Sequence, residues 1–369
     1  MLSYSNYTNI LSEAGIAEEK WVPSTWAELL ENCRIVSEYA EANNKSYGGI
    51  VMNNVAGMPG AFRATPFLRA AGGKICNAEQ LCFVREMSFS GGRERGERVL
   101  QAENGRLSFT VLADRALDIY DLRYRGENIS FLSKNGLCGF GGGFNDVFPG
   151  GFLYTCGLDR VGGGVPVHGK LHNIPAKILS ARSDAHGVFI EGSVRQSALF
   201  GGNLVMNRRI FCEYASGELT IESDIVNEGA RDDEYCLLFH MNLGYPFLEE
   251  GATIEAPVLS SQARTDYAAK KIKDCFSVSA ASETEEQVFY HTLDRGQVRI
   301  TDGKRRRRVT FSYDERALPR LIEWKSMIAG DYALGIEPST TRLDGYMRRK
   351  KIAPGETHRY KISVSIEDL

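Results

Sequence analysis

The chain has 369 residues, enough for one large β domain or two domains of ordinary size. Hydrophobic residues make up 43% of it, charged residues make up 25%, and the formal net charge is −3, so neither nucleic acid nor a membrane surface is an expected partner. The 38 glycines exceed average usage and favour a fold with many tight turns.

Eight cysteines are spread along the chain without a CxxC pair and without a histidine at zinc-ligand spacing. The first residues, MLSYSNYTNILSEAG, lack the basic and apolar regions of a signal peptide, and no apolar run reaches the ~18 residues of a membrane span. We therefore expect a cytoplasmic protein with free thiols. A secreted protein with a disulfide framework is the alternative.

The pattern of residues 1–82 is helical. In PSTWAELLENCRIVSEYAEANN, Thr25 and Glu28 form a capping box, apolar residues follow at helical spacing, and Asn43 favours a stop. A shorter helix is predicted from Asn6 to Ala14, closed by Gly15, and another in PFLRAAGGK. We expect a small helical N-terminal extension over residues 1–82.

Residues 83–369 alternate between apolar and polar positions, as in LSFTVLADRALDIYDLRYRGENISFLS, GVFIEGSVRQS and HRYKISVSIEDL. Turn signals separate these segments, and about a dozen or more strands at this spacing predict a mainly β fold with a large antiparallel sandwich. Neither a GxGxxG nor a GxxxxGK[ST] motif occurs, which argues against nucleotide-binding folds.

A run of five basic residues, Lys304 to Arg308, follows the hairpin signal DG. Two interpretations are open: a patch that binds phosphate or nucleic acid, or a solvated sheet edge whose charges resist pairing with other chains. Alternate arginines on a strand point to opposite faces and do not form one surface, so the sheet edge is favoured.

Glu337 ends an apolar strand pattern in YALGIEPSTT. Ala333 and Gly335 precede it on the same face of the strand, so there is space beside the carboxylate. Pro338 holds Glu337 in an extended conformation and cannot donate to the sheet ladder, which favours a carboxylate at the rim of a sheet. A solvated glutamate at a strand end is the alternative.

His240 lies in the apolar stretch YCLLFHMNLGYPF. On a strand it shares one face with Asn242, and a buried histidine needs partners for both nitrogens. A core histidine with satisfied hydrogen bonds and a functional site are both consistent with this pattern. By contrast, no polar neighbours are identified for His291.

The stretch FNDVFPGGFLYTCGLDRVGGGVPVHGKLHNIPAK is the least strand-like part of the second segment. A glycine-rich loop with dense polar residues and interspersed aromatic residues is typical of an ordered functional loop. We expect no metal site there, because the flanks of the i,i+4 histidine pair are not helical. The polar residues of this loop are Asn145, Asp146, Asp159, Arg160, His168, Lys170, His172 and Asn173.

Three segments, VPVHGKLHNIPAK, LLFHMNLGYPF and LGIEPSTT with the later PGETHRYKISVSI, occur in an order that resembles the aldose 1-epimerase (galactose mutarotase-like) superfamily. The resemblance covers residues 84–369 and is strongest to a branch with DRALDI and CGLD segments. It implies a β-supersandwich that interconverts the anomers of a free sugar without a cofactor. It also implies that Glu337 is the general base, His240 the general acid and His168 a substrate ligand.

The resemblance further suggests side chains that contact the sugar. Trp324 would form an apolar wall, since the CH face of a sugar packs on aromatic rings. Glu337 and His240 are expected to face one cleft across a gap the size of a sugar ring. The remaining expected sugar contacts are Arg115, Asp159, Lys170, His172, Asn145 and Asn242. A non-catalytic carbohydrate-binding protein and a lyase or glycoside-cleaving enzyme are the alternatives.

Residues 1–82 resemble an internal piece of an extracellular sugar-binding protein of an ABC transporter, in the stretch LSEAGIAEEKWVPSTWAELLENCRIVSEY and in PFLRAAGGK. The segment is too short to form the ligand cleft of such a protein. We expect it to pack on the β domain or on a second subunit, and a homodimer is one assembly that the sequence leaves open.

Overall fold

The computed structural model describes residues 11–17, 26–43, 77–138, 142–184, 186–343 and 347–369. The chain divides into two compact units, residues 1–69 and 70–369. The predicted boundary after residue 82 stays a prediction. Among the described residues, no helix combines the length and the apolar character that a membrane crossing requires.

The first unit contains the predicted long helix, α1 (Trp26–Ala42). Arg34 pairs with Glu31 and Glu38, one turn to either side, as expected of an exposed helix face. Residues 11–13 are also helical and end at Gly15, whose positive φ of 76° suits a left-handed cap. The predicted helix in PFLRAAGGK and the start of the one from Asn6 lie outside the described residues.

The second unit is built mainly from strands, which confirms the mainly β prediction. Its short helices are α2 (Phe144–Val147) and α3 (Asp266–Lys270), with 3-10 turns at Ala78–Gln80, Leu171–Asn173 and Ile272–Asp274. The strands are β1 (Phe83–Ser88), β2 (Arg98–Glu103), β3 (Leu107–Leu112), β4 (Asp118–Tyr124), β5 (Glu127–Asn128), β6 (Leu153–Leu158), β7 (Lys177–Asp184), β8 (Gly187–Ser197), β9 (Asn203–Glu213), β10 (Glu218–Asn227), β11 (Asp233–Gly244), β12 (Thr253–Glu255), β13 (Val258–Ala263), β14 (Gln287–Leu293), β15 (Gln297–Asp302), β16 (Arg307–Tyr313), β17 (Arg320–Ile328), β18 (Asp331–Ser339), β19 (Lys350–Ile352) and β20 (Thr357–Asp368).

The strands form two antiparallel sheets. The larger sheet has the order β1-β2-β3-β4-β6-β11-β18-β17-β14-β13, with β5 beside β4 and β19 beside β11. The smaller sheet has the order β12-β15-β16-β20-β10-β9-β8-β7. Side chains from the two sheets meet in a common core, where Phe152 stacks on Phe311 and Arg208 of β9 donates a hydrogen bond to Asp118 of β4 at 2.9 Å.

The basic run does not lie at a sheet edge, so that expectation is wrong. Strand β16, which begins at Arg307, lies between β15 and β20. Arginines of the run are matched with carboxylates: Arg307 of the strand pairs with Glu127 and Asp368, and Arg305 of the preceding turn pairs with Glu249. Pairing with β15 and β20 satisfies the backbone of this strand on both sides, and the ion pairs offset its charge.

Candidate functional site

Glu337 and His240 meet on one face of the larger sheet. Strands β11 and β18 are antiparallel neighbours, and Leu238 pairs with Ser339 while Met241 pairs with Ile336. This register places His240 directly opposite Glu337. The His240 Nε2 atom lies 3.2 Å from the Glu337 Oε1 atom, so the two side chains are in direct contact.

The contact depends on a glycine. A Cβ atom at position 335 would lie 2.8 Å from Oε1 of Glu337 and 3.1 Å from Cε1 of His240. Distances of this size require the Glu337 carboxylate to move, so Gly335 allows the carboxylate and the imidazole to take up these positions. The space predicted beside Glu337 is therefore filled by the His240 ring.

Both members of the pair are almost inaccessible, with side-chain exposures of 7% for His240 and 2% for Glu337. Burial raises the pKa of the Glu337 carboxyl well above its usual range; the Glu286 carboxylate adds to this, and Arg264 opposes it. Burial lowers the pKa of His240 well below its usual range; His168 adds to this, and the Asn242 side chain opposes it. Both shifts favour a pair in which each group is neutral.

The expected gap between the two groups does not exist. A separation of 3.2 Å leaves no room for a sugar ring between the carboxylate and the imidazole. The reason is the strand register, which fixes directly opposite residues of an antiparallel pair about 5 Å apart at Cβ.

His168 approaches the pair from the glycine-rich loop. Its φ of 63° is left-handed, a rare conformation for a residue with a side chain. The backbone N–H of Gly162 donates to its Nδ1 at 3.2 Å, which in a neutral ring leaves the proton on Nε2. Its ring centroid lies 5.7 Å from that of His240 in an edge-on arrangement. A hydrogen-bond donor from the loop thus lies beside the pair on the sheet.

Aromatic side chains surround the three polar groups. Trp324 packs edge-on against the His240 ring at 5.4 Å between centroids, and its Nε1 donates to Glu286 at 2.8 Å. Phe148 lies 6.1 Å from the His240 ring, and Phe144 lies 5.3 Å from the His168 ring. Partly buried aromatic walls with a few polar groups are typical of a small-molecule site.

Two polar atoms at this site are unsatisfied. His240 Nδ1 and Asn242 Oδ1 are both buried without a hydrogen-bond partner among the described residues. The amide nitrogen of Asn242 donates to the carbonyl of Gly151 at 2.9 Å, which fixes the orientation of this side chain. Such unpaired buried atoms are costly in a purely structural core, so they mark the pair as a candidate functional site.

His172, which was also expected to contact the substrate, stacks on Tyr154 at 4.4 Å between ring centroids. Tyr154 lies opposite His240 on strand β6, so His172 packs on a neighbour of the pair. Burial, followed by the charges of His168 and Arg115, lowers the pKa of His172 to about 3, and the group is neutral at ordinary pH.

The other residues that were expected to contact the sugar lie in different environments. Arg115 donates to Glu97 and to the carbonyl of Cys138 in a buried arrangement. Asp159 accepts from the Lys170 backbone at 3.0 Å and from the Gln196 side chain at 3.0 Å. Lys170 and Asn145 are exposed. The structure therefore brings together Glu337, His240, Asn242, His168 and Trp324, and directs Arg115 and Asp159 to partners within the protein.

Sequence reasoning missed the contribution of Tyr154, Phe144 and Phe148 to this site. The aromatic residues of the glycine-rich loop were recognised only as a sign of order. Their alternation with glycines could not show which of them would turn toward β11. That direction depends on contacts between the loop and the sheet.

The two antiparallel sheets form a galactose mutarotase-like β-sandwich, as predicted. Similar solved structures include a candidate aldose 1-epimerase from Klebsiella pneumoniae, with a TM-score of 0.69, 21% identity, and coverage of 77% of this chain and 83% of that one. A galactose mutarotase-like protein from Clostridium acetobutylicum gives a TM-score of 0.61 at 14% identity and covers 79% of this chain and 100% of that one.

The family is established by sequence. A family model described as a domain of unknown function, DUF4432, matches residues 94–366, and the chain belongs to this family. No curated protein matches the chain. The resemblance of residues 1–82 to a transporter protein stays a prediction.

Proposed function

We propose that this protein is a mutarotase-like isomerase that interconverts the α and β anomers of a free aldose. The observation that carries the proposal is the direct contact of Glu337 with His240, at 3.2 Å between Oε1 and Nε2, in a buried site with aromatic walls and with His168 beside it. Anomer exchange needs one group that accepts a proton and one that donates a proton at the same reacting centre. A carboxylate and an imidazole in contact supply both.

The proton transfers of ring opening and ring closure balance when Glu337 and His240 act together. In the carboxylate–imidazolium form, Glu337 accepts the proton of the anomeric hydroxyl while His240 donates a proton to the ring oxygen, and the ring opens. The pair is then neutral, and ring closure on the other face of the aldehyde reverses both transfers. The two forms hold the same number of protons, so a proton that moves across the 3.2 Å contact interconverts them without solvent.

The pKa directions fit these roles. Burial raises the pKa of Glu337, which makes its ionised form a stronger base. Burial lowers the pKa of His240, which makes its protonated form a stronger acid. Sugar hydroxyl groups would also supply partners for the unsatisfied His240 Nδ1 and Asn242 Oδ1 atoms.

The test is anomer-exchange NMR over a panel of aldoses with the wild-type protein, Glu337→Gln and His240→Asn. We expect the wild type to accelerate exchange of at least one sugar and each variant to lose about 10²–10⁴-fold in rate, the usual contribution of a general acid or base. Glu218→Gln is the matched control, since this carboxylate is exposed and lies on β10 of the smaller sheet.

Two outcomes would contradict the proposal. If the wild type exchanged no sugar faster than buffer alone, the proposed isomerase activity would be wrong. If the same sugars bound to the protein without exchange, a non-catalytic carbohydrate-binding function would replace it. Full activity of Glu337→Gln would show that Glu337 is not the base.

A further inference from the structure

A second histidine–carboxylate pair lies on the opposite face of the larger sheet. His291 of β14 follows Tyr290, which shares a face with Ile322 and Glu337, so His291 points the other way. Glu323 of β17 follows Ile322 and shares the face of His291. The segment that contains α3 and the 3-10 turn Ile272–Asp274 brings in Cys275. Each of these three side chains belongs to a residue that is 1% exposed.

The three groups converge on one point. His291 Nε2 lies 3.0 Å from Glu323 Oε2, and the ligand-type atoms of Cys275, His291 and Glu323 all lie within 4.8 Å of one another. Ligands of a tetrahedral zinc ion are about 3.3–3.8 Å apart, given bond lengths of about 2.0–2.3 Å. The cluster is therefore close to the size that one ion requires.

One atom of the cluster is unsatisfied. Glu323 Oε1 is buried without a hydrogen-bond partner among the described residues. A carboxylate oxygen in this state costs free energy, because it has lost water and gained nothing in exchange. A cation bound between Glu323 and its neighbours would supply the missing partner.

The other nitrogen of His291 is held by a serine. His291 Nδ1 lies 2.8 Å from the Ser261 hydroxyl. Histidines that bind a metal through one nitrogen commonly place the other against such a group, which fixes the ring and its tautomer. The ring of Phe276 packs at 5.2 Å from the His291 ring and shields the cluster from water.

Lys325 is a positive charge near the cluster, and it would repel a bound metal ion unless its own charge is balanced. Its ammonium group donates to the backbone carbonyls of Asp274, Cys275 and Ser277, at 2.7–3.3 Å. It therefore holds the Cys275 segment against the sheet and is turned toward carbonyl oxygens. A thiolate and a carboxylate would balance both charges of a divalent ion, leaving the ammonium charge on the carbonyls that already bind it.

We propose that Cys275, His291 and Glu323 bind one divalent metal ion of the zinc type. A mixed sulfur, nitrogen and oxygen set is typical of zinc, which prefers four ligands, so a water molecule would complete the site. Binding replaces the Cys275 S–H bond with an S–metal bond and releases one proton to solvent. His291 keeps its single proton, which moves to Nδ1 and is donated to Ser261. The ion would clamp residues 265–278 to the sheet.

The test uses Co²⁺ as a spectroscopic probe on the full chain after treatment with a chelator. Binding at the proposed site gives a thiolate-to-cobalt charge-transfer band with one ion per chain, and Zn²⁺ abolishes the band. Because a thiol proton is released, the apparent affinity rises with pH. Cys275→Ser should abolish the charge-transfer band, while Cys212→Ser, which alters a buried cysteine on β9 of the smaller sheet, should retain it.

A second pair of variants keeps the test valid if Cys275→Ser does not fold. Glu323→Gln should weaken Co²⁺ binding while the charge-transfer band persists at saturation. Ser261→Ala should weaken it by about 10–100-fold, as for other groups that support a metal-bound histidine. Absence of the band in the wild type, or its persistence in Cys275→Ser, would overturn the site. So would labelling of Ser261 by a fluorophosphonate without any metal binding, which would assign Ser261, His291 and Glu323 to a serine nucleophile.

Discussion

Two histidine–carboxylate pairs lie on opposite faces of one sheet in this protein. His240 and Glu337 are 3.2 Å apart, and His291 and Glu323 are 3.0 Å apart. In each pair the two residues come from different strands, and both pairs are deeply buried. The difference lies in what surrounds them.

The first pair lies beneath aromatic walls, and His240 Nδ1 has no hydrogen-bond partner in the described part of the chain, whereas Ser261 satisfies Nδ1 of His291. Lys325 and the segment around Cys275 cover the second pair. The same two residue types therefore suit proton transfer to a small molecule in one environment and a closed, ion-binding or structural role in the other. Residue identity alone does not distinguish these roles.

The largest expected effect on stability comes from the face of the sheet that carries His291 and Glu323. Lys325→Met would leave three backbone carbonyls without their donor and remove a buried charge beside Glu323. We expect a loss of about 3–5 kcal/mol in the free energy of unfolding, measured by urea denaturation, with little change in the anomer-exchange rate of the folded protein. Lys304→Met, on an exposed lysine, is the control. A stable variant with reduced exchange activity would show that the two faces are coupled.

On the opposite face, Gly335→Ala tests whether the close contact between His240 and Glu337 matters for activity. The new Cβ atom would crowd Oε1 of Glu337 and Cε1 of His240 and displace the carboxylate, and a displacement of about 1 Å can cost about 100-fold in rate. Anomer-exchange NMR measures this loss. Gly91→Ala is the matched control, since a Cβ atom there meets nothing within 4 Å. Wild-type activity of Gly335→Ala would mean that the 3.2 Å contact is not needed.

His172, near the His240–Glu337 pair, gives a smaller effect on the free energy of unfolding, and this effect depends on pH. The pKa of His172 is lowered to about 3, below the ordinary value of 6.5, so the unfolded chain binds more protons than the folded chain between these values. Stability therefore falls as pH decreases through this window, by about 2 kcal/mol from pH 7 to pH 5 for this group.

Urea denaturation at both pH values measures this effect. His172→Asn should reduce the difference in unfolding free energy between pH 7 and pH 5, whatever the variant costs at either pH. His186→Asn, which alters an exposed residue, should leave the difference unchanged. An unchanged difference in His172→Asn would show that His172 is not held neutral.

The smallest effect on anomer exchange is expected at Trp324, which packs against the His240 ring. Trp324→Leu removes an aromatic ring but keeps an apolar side chain, and one aromatic contact is worth about 0.5–1.5 kcal/mol. We expect KM to rise about 2- to 10-fold with kcat nearly constant in steady-state anomer-exchange assays. Trp324→Phe should remain close to the wild type. A fall in kcat without a change in KM would instead place Trp324 in the positioning of His240.

Local sequence patterns predicted much of the fold. Period-two alternation predicted strands throughout residues 83–369, and the capping box with its apolar spacing predicted α1. The same alternation placed His240 and Asn242 on one face and put small residues beside Glu337. It failed for the basic run, because the pattern of a strand does not show how many neighbours the strand will have.

The sequence by itself determined the strands, the face that each side chain occupies and the small residue at position 335, since these depend on neighbouring residues. Only the tertiary structure decided that His240 would contact Glu337, that His172 would stack on Tyr154, and that His291 would meet Glu323, Ser261 and Cys275. Those contacts join residues far apart in the chain. They arise from strand order and register, which depend on how two sheets bury their apolar faces together.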